Sequence, residues 1–390
     1  MNVWRVHVDA DGNMDEAAQA AIADAAACLR AGGVIAFPTE TVYGLGANAW
    51  DDAAARKVFQ AKGRPADNPL IVHIADMDML GMVTCPDALP EPARRAMAAL
   101  WPGPLTVIVP AGPRIAATVR AGLPTVGVRL PDHPVARALI RAAGCPVAAP
   151  SANRSGRPSP TDAAAVLADL AGRIDGVVDG GPCQVGVEST VVAFTAERGV
   201  IYRPGGVTRE ALMAASGVPV DWHGHLLRPD AGLAAAMMQS DIEGEPPGVP
   251  RAERHAASGA PDLGPPPSPG MKYRHYAPDA DVHVFVGPNG RVLAAMRAWL
   301  ATLRARHPED TVAVIAERTE GLAQAGVLAW SPPPGTPYTE ALAREIYRLL
   351  RAFEAQGARH ILVQGVAPDG LGAAVMNRLA KAASGRVHLV

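Results

Sequence analysis

The chain has 390 residues, 49% apolar and 19% charged, which excludes a disordered polymer and exceeds what one ordinary domain holds. Lys and Arg number 36 against 38 Asp and Glu, a formal charge of −2. The broad basic excess of a sequence-independent nucleic-acid binder is therefore absent, and no stable nucleic-acid binding is expected.

Four dispersed cysteines, Cys28, Cys85, Cys145 and Cys183, form no CxxC pair. That argues against a disulfide or zinc framework and for reduced thiols. The first residues, Met1 to Asp9, hold no signal-peptide apolar core, and no apolar run is long enough to span a bilayer. A cytoplasmic protein with no membrane partner is the expectation.

In chain order, apolar runs bounded by Gly or Pro predict strands at 33–38, 70–75, 105–110, 125–130, 147–150, 189–194 and 200–203. Helical spacing predicts helices at 15–31, 51–61, 91–100, 134–143, 161–171 and 208–215. Thr161 and Thr208 are read as N-caps, and Gly32, Gly144 and Gly172 as stops. Residues 1–216 thus form an α/β domain, with a mixed sheet because several strands lack a helical crossover. Residues 217–280 are rich in Pro, Gly and Ser and read as a linker with one short helix at 231–238. Strands at 282–286, 311–316, 327–330, 360–363 and 387–389, with helices at 290–306, 339–356 and 371–383, predict a smaller, Rossmann-like doubly wound parallel sheet over 281–390.

Four stretches carry chemistry. Pro38-Thr39-Glu40-Thr41-Val42-Tyr43-Gly44-Leu45-Gly46 follows a strand directly, where α/β sheets place ligands. Lys62-Gly63-Arg64-Pro65-Ala66-Asp67-Asn68-Pro69 sets two cations one residue apart, which suits a polyanion such as a triphosphate, and leads into a strand bearing His73. Pro150-Ser151-Ala152-Asn153, with Ser159 beyond, offers small hydrogen-bonding groups after another strand. Gly186-Val187-Glu188-Ser189-Thr190-Val191 and Tyr202-Arg203-Pro204-Gly205 complete the set. Each alone is also ordinary turn chemistry, and a lone His on a strand is more often a core residue than a ligand.

In this order, PTETVYGLG, KGRPxxNPL with a following His, PSAN, ESTVV and RPG resemble the YrdC-type threonylcarbamoyl-AMP synthases. Ser268-Pro269-Gly270-Met271-Lys272-Tyr273-Arg274-His275-Tyr276-Ala277-Pro278 is similar to the linker signature of the long, two-domain members, and Val375-Met376-Asn377-Arg378-Leu379 to their closing motif. The stretch 222–267 is longer and richer in Pro than that family suggests.

The resemblance implies a condensation of L-threonine, bicarbonate or CO2, and ATP into threonylcarbamoyl-AMP and pyrophosphate. The product would pass to a transferase complex that modifies the adenosine 3′ of the anticodon in tRNAs reading codons that begin with A. It implies Lys62 and Arg64 as catalytic cations. Lys62, Arg64, Asn68, Thr125, Ser151, Asn153, Ser159, Arg203 and Tyr276 would face ATP. Thr41, His73, Arg129, Ala149 and Ser189 would face threonine. Magnesium would arrive with the triphosphate and have no dedicated protein ligands. Glu40 stays open between a magnesium or amine contact and a structural role. The segment Ser268–Pro278 is expected to fold over the cavity as a lid, with Tyr276 contacting the nucleotide. Two other readings remain. A hydrogenase-maturation carbamoyl-adenylating module is disfavoured by the missing CxxC pairs and acylphosphatase-like region. A non-catalytic RNA- or nucleotide-binding module is the other.

Overall fold

The computed structural model describes residues 1–224 and 276–390. The helix expected at 231–238 and residues 268–275 of the predicted lid lie outside the described residues. Among the described ones, eleven strands form the first sheet: β1 (Asn2–Arg5), β2 (Ile35–Phe37), β3 (Gly44–Asn48), β4 (Ile71–His73), β5 (Leu105–Pro110), β6 (Thr125–Arg129), β7 (Val147–Ala149), β8 (Gly176–Asp179), β9 (Thr190–Phe194), β10 (Gly199–Arg203) and β11 (Val220–Trp222). Their order is β1-β8-β2-β3-β7-β4-β6-β5-β9-β10-β11. β4 runs parallel to β6 and antiparallel to β7, and β5 runs antiparallel to β6 and parallel to β9. The sheet is mixed, as the sequence predicts.

Helices α1 (Glu16–Arg30), α2 (Asp52–Lys62), α3 (Glu91–Leu100), α4 (Pro134–Ala143), α5 (Ala163–Leu170) and α6 (Arg209–Ser216) pack around this sheet. Their ends follow local chemistry. Asp51 accepts from the Ala53 and Ala54 amides to start α2, and Gly63 ends it with a left-handed φ of 63°. Thr208 caps α6 as read from the sequence, but α5 is capped one residue later than predicted, by Asp162 rather than Thr161. Asp is the stronger N-cap, and its charged carboxylate accepts from the Ala165 amide at 2.7 Å.

Four strands escape the sequence reading: β1, β3, β8 and β11. β3 is the instructive one, because Gly44-Leu45-Gly46 reads as a ligand turn. A Cβ on Gly46 would sit 2.8 Å from both Phe37 and Val147. This glycine therefore lets adjacent strands pack rather than letting a substrate approach. β11 pairs parallel with β10, so the first domain continues past residue 216, where the sequence reading ends it.

The second sheet contains β12 (Asp281–Val286), β13 (Thr311–Ile315), β14 (Val327–Trp330), β15 (Ala358–Gln364) and β16 (Val387–Leu389), in the order β14-β13-β15-β12-β16. Every pairing in it is parallel. Helix α7 (Asn289–Arg306) covers one face, while α8 (Tyr338–Ala355) and α9 (Gly370–Ala383) cover the other. Val42 and Val187 of the first domain join the apolar cluster that α8 and α9 form with this sheet, so the two domains share a core. No helix among the described residues is long and apolar enough to cross a membrane.

Beneath α7, His283 lies 4.4 Å from the Trp299 ring, and its Nδ1 is 3.2 Å from Nε2 of His388. Burial, reinforced by Arg386, His388 and His360, pushes His283 down to about 3. In the unfolded chain the same imidazole titrates near 6.5. The unfolded state therefore binds protons first, and stability that is complete above pH ~6.5 falls as the medium is acidified. The expected slope from His283 alone is about 1.4 kcal/mol per pH unit, continuing to about pH 3. Urea unfolding at pH 7, 6 and 5 checks this, and His283→Phe should flatten the slope.

Candidate active site

Five neighbouring strands, β7-β4-β6-β5-β9, bring Ala149, Ile71, His73, Arg129 and Thr106 together and carry Ser189 at the entry to β9. The register sets His73 opposite Arg129, Ile71 opposite Ala149, and Thr106 opposite Arg129. Above this floor stands a cavity of about 700 Å3 of empty space, its mouth included. Lys62 and Arg64 from the end of α2, the Ser151–Asn153 loop, Glu188, Ser189, Arg203 and Tyr276 close its walls.

Four cations thus line one cavity, and each is held by the protein. Lys62 is 4% exposed, and its Nζ donates to the carbonyls of Ser151 (2.5 Å) and Asn153 (2.6 Å) and to Asn153 Oδ1 (3.2 Å). Burial first, and Arg64 second, hold its pKa well below the ordinary lysine value. Arg64 donates to the carbonyls of Asn68 (3.2 Å) and Pro69 (3.0 Å). Arg203 directs Nε and Nη2 at the Ser189 carbonyl (3.1 and 2.9 Å) and Nη2 also at the Ser189 hydroxyl (3.0 Å). Arg129 meets Glu40 at 2.7 Å, within ion-pair distance though poorly aligned as a hydrogen bond.

That last contact answers the question left open for Glu40. Both side chains are buried, and Glu40 stands behind the cavity wall as the counter-charge of Arg129. His73 packs edge-on to Phe37 with Nδ1 unpartnered, and burial together with Arg129 pushes it down to about 3. It enters the site neutral.

Of the residues expected here from the sequence, Lys62, Arg64, His73, Arg129, Ala149, Ser151, Asn153, Ser189, Arg203 and Tyr276 line the cavity. Thr41 does not: its hydroxyl lies behind Thr39, 2.8 Å from Thr39 Oγ1, and Thr39 faces the cavity instead. Ser159 is fully buried and donates to Glu188. Asn68 is fully buried outside the lining, with both side-chain polar atoms unpartnered. Thr125 begins β6 while Arg129 ends it, so the strand length separates it from the cavity.

Three functional positions were missed. Glu188 lines the wall, and Tyr347 and Arg378 of the second domain hold it. Glu188 and Arg378 stood in quoted motifs without being singled out, and Tyr347 sits in an amphipathic helix where nothing local marks it.

The family model for Sua5, YciO and YrdC, described as telomere recombination, matches residues 27–205. A second model, described as the threonylcarbamoyl-AMP synthase C-terminal domain, matches residues 235–384. The threonylcarbamoyl-AMP synthase of Bacillus subtilis (strain 168) is 42% identical over 379 residues, which is 94% of this chain and 94% of that protein. The chain belongs to the Sua5–YciO–YrdC family. A second relative within it, the threonylcarbamoyl-AMP synthase of Pyrococcus abyssi (strain GE5 / Orsay), is 38% identical and is matched over 93% of this chain and 94% of its own length. The crystal structure of P. abyssi Sua5 in complex with L-threonine superposes with a TM-score of 0.80 at 35% identity, and the match covers all of both chains. The resemblance read from the ordered motifs is thus that of a family member, in the two-domain form.

Removing one member of the Arg129–Glu40 pair strands the other in a nearly dry wall. Arg129→Met is expected to lower stability by about 3–5 kcal/mol. Adding Glu40→Gln should recover a large part of that loss. Denaturant unfolding of the wild type, both single variants and the double variant measures the coupling.

Proposed function

We propose that the chain is a threonylcarbamoyl-AMP synthase that joins L-threonine, bicarbonate and ATP. The single observation behind this reading is the convergence of Lys62, Arg64, Arg129 and Arg203 on one cavity, beside small hydroxyl groups and a neutral imidazole. Two anions must meet for this reaction, and a water-poor cationic cavity offsets their repulsion. Family membership and the threonine complex of the P. abyssi protein support the same reading.

In this scheme the threonine amine adds to bicarbonate-derived CO2 to give N-carboxythreonine. One of its new carboxylate oxygens attacks the α-phosphorus of ATP. A P–O bond forms there, and the bond to the departing pyrophosphate breaks. No covalent enzyme intermediate is required. Arg129 takes the threonine α-carboxylate, oriented by Glu40 behind it. Ala149, Ile71 and the uncharged His73 make the surrounding wall, where the threonine methyl group packs. Lys62, Arg64 and Arg203 face the phosphates, with Ser151 and Asn153 as hydrogen-bonding partners for the nucleotide. Lys62 acts in part through the loop it clips, since its donors already reach Ser151 and Asn153.

Magnesium enters as the companion of the triphosphate, held through phosphate oxygens and water. Among the described residues, no group of three His, Cys, Asp or Glu side chains is placed to hold a metal ion. The product then passes to a transferase that modifies the adenosine beside the anticodon in tRNAs reading A-starting codons, within the cytoplasm.

Threonine-dependent release of pyrophosphate from ATP tests the reading directly. Release is expected only when threonine, bicarbonate and MgATP are all present. Lys62→Ala and Arg64→Ala should each lower the rate about a hundredfold or more, the usual loss for a charge contact that strengthens in the transition state. Nucleotide binding without such release would favour the non-catalytic binding module. Threonine differs from serine by one methyl group, so threonine should be preferred by roughly 10- to 200-fold in competition. Equal turnover of the two amino acids would remove the apolar contact from the scheme.

A further inference from the structure

Glu188 is an anion in the wall of a cavity that otherwise gathers cations. From its own domain it receives the Ser159 hydroxyl at 2.7 Å. Its other hydrogen bonds come from the second domain. The Tyr347 hydroxyl lies 3.0 and 2.9 Å from its two oxygens, and Arg378 Nε donates at 2.9 Å. Arg378 is fully buried, and its Nη1 also donates to the carbonyl of Pro204 (2.6 Å), the residue after Arg203. Its guanidinium lies 5.6 Å from the Tyr276 ring, which stacks on Tyr347 at 5.3 Å. Tyr276 holds a left-handed φ of 68°, unusual for a tyrosine and sustained only where packing fixes it. Burial alone would raise the Glu188 pKa, yet Arg378 and Arg203 bring it down to about 2, so the carboxylate is ionised. Arg203 nevertheless directs its Nε and Nη2 at Ser189 rather than at Glu188.

We propose that Arg378 is a positioning residue for the reaction: the second domain neutralises Glu188 and thereby leaves Arg203 aimed at the cavity. This rests on the ATP-dependent reading given above. Without Arg378, the Glu188 carboxylate either draws the Arg203 guanidinium to itself or faces the triphosphate as an unbalanced anion. Both outcomes penalise ATP and spare threonine, because Arg129 has its own counter-charge in Glu40. The closing motif of the C-terminal domain is, on this view, part of the charge arrangement of the catalytic domain.

The test uses the full chain and steady-state pyrophosphate release. Arg378→Met is expected to raise the KM for ATP about tenfold or more while the KM for threonine moves by less than about threefold. In Glu188→Gln/Arg378→Met the KM for ATP should return to within about threefold of wild type, because the unbalanced charge is gone. Glu188→Gln alone leaves a net positive charge in the wall and should lower the KM for ATP about two- to threefold. A folded double variant no better than Arg378→Met would make Arg378 a packing residue and overturn the proposal. If Arg378→Met does not fold, the Glu188→Gln variant decides: a raised KM for ATP overturns the proposal and a lowered one supports it. A wild-type chain that releases no pyrophosphate with all three substrates would overturn the functional reading, and this inference with it.

Discussion

Keeping four cationic side chains close together, largely out of water, is the constraint on which the rest of this structure turns. An unpaired buried charge is costly, and like charges within one cavity raise that cost. The fold answers mostly with backbone carbonyls. Ser151 and Asn153 receive Lys62, Asn68 and Pro69 receive Arg64, and Ser189 receives Arg203. Arg129 is in addition given a full counter-charge, Glu40. Carbonyl dipoles orient a cation without cancelling it, so each group stays electrostatically available to an incoming anion. The depressed pKa of Lys62 expresses the same balance, since burial and Arg64 together disfavour its charge until an anion arrives. Preorganised charge of this kind needs little rearrangement when the reaction takes place.

The second domain is tied to this arrangement rather than appended to it. Along α8, Arg344, Tyr347, Arg351 and Glu354 fall at helical spacing on one stripe, and all four reach the first domain. Arg344 donates to the Gln184 carbonyl, and Tyr347 to Glu188. Arg351 grips Asp169 with both Nη atoms (3.1 and 2.7 Å), and Glu354 receives Arg157 in the same forked manner (3.0 and 2.6 Å). Gly186 allows the close approach, because a Cβ there would meet the Arg344 carbonyl at 2.3 Å. A motif glycine of the first domain thus serves the contact between domains, and Val42 and Val187 extend the second domain's core into the first.

Much of the site was legible because its signals are local. KGRP places two cations at a helix end that Gly63 terminates, and PSAN and RPG each follow a strand whose apolar run is plain in the sequence. The misses have a common cause. Thr39 and Thr41 are two residues apart with identical side chains, and only the path of the turn decides which faces the cavity. Thr125 and Arg129 share one strand, and only the strand's placement shows that its far end alone reaches the site. The polar stripe of α8 has the pattern of a solvated face, which is what such a stripe signifies when no second domain lies against it.

The sequence by itself determined the two α/β units, the positions of most helices through their apolar spacing, the supply of cations and the family. Those properties depend on residues near one another in the chain, or on the order of short motifs. Tertiary structure alone decided that Ala149, His73, Arg129 and Ser189 share one floor, because strand order and register across β7-β4-β6-β5-β9 join positions up to 116 residues apart, as His73 and Ser189 are. It also decided that Glu40 balances Arg129 and that Arg378 balances Glu188, the latter pair separated by 190 residues. A buried charge is stable only beside its partner, and which partner arrives is settled by packing between elements and between domains, not by neighbours in sequence.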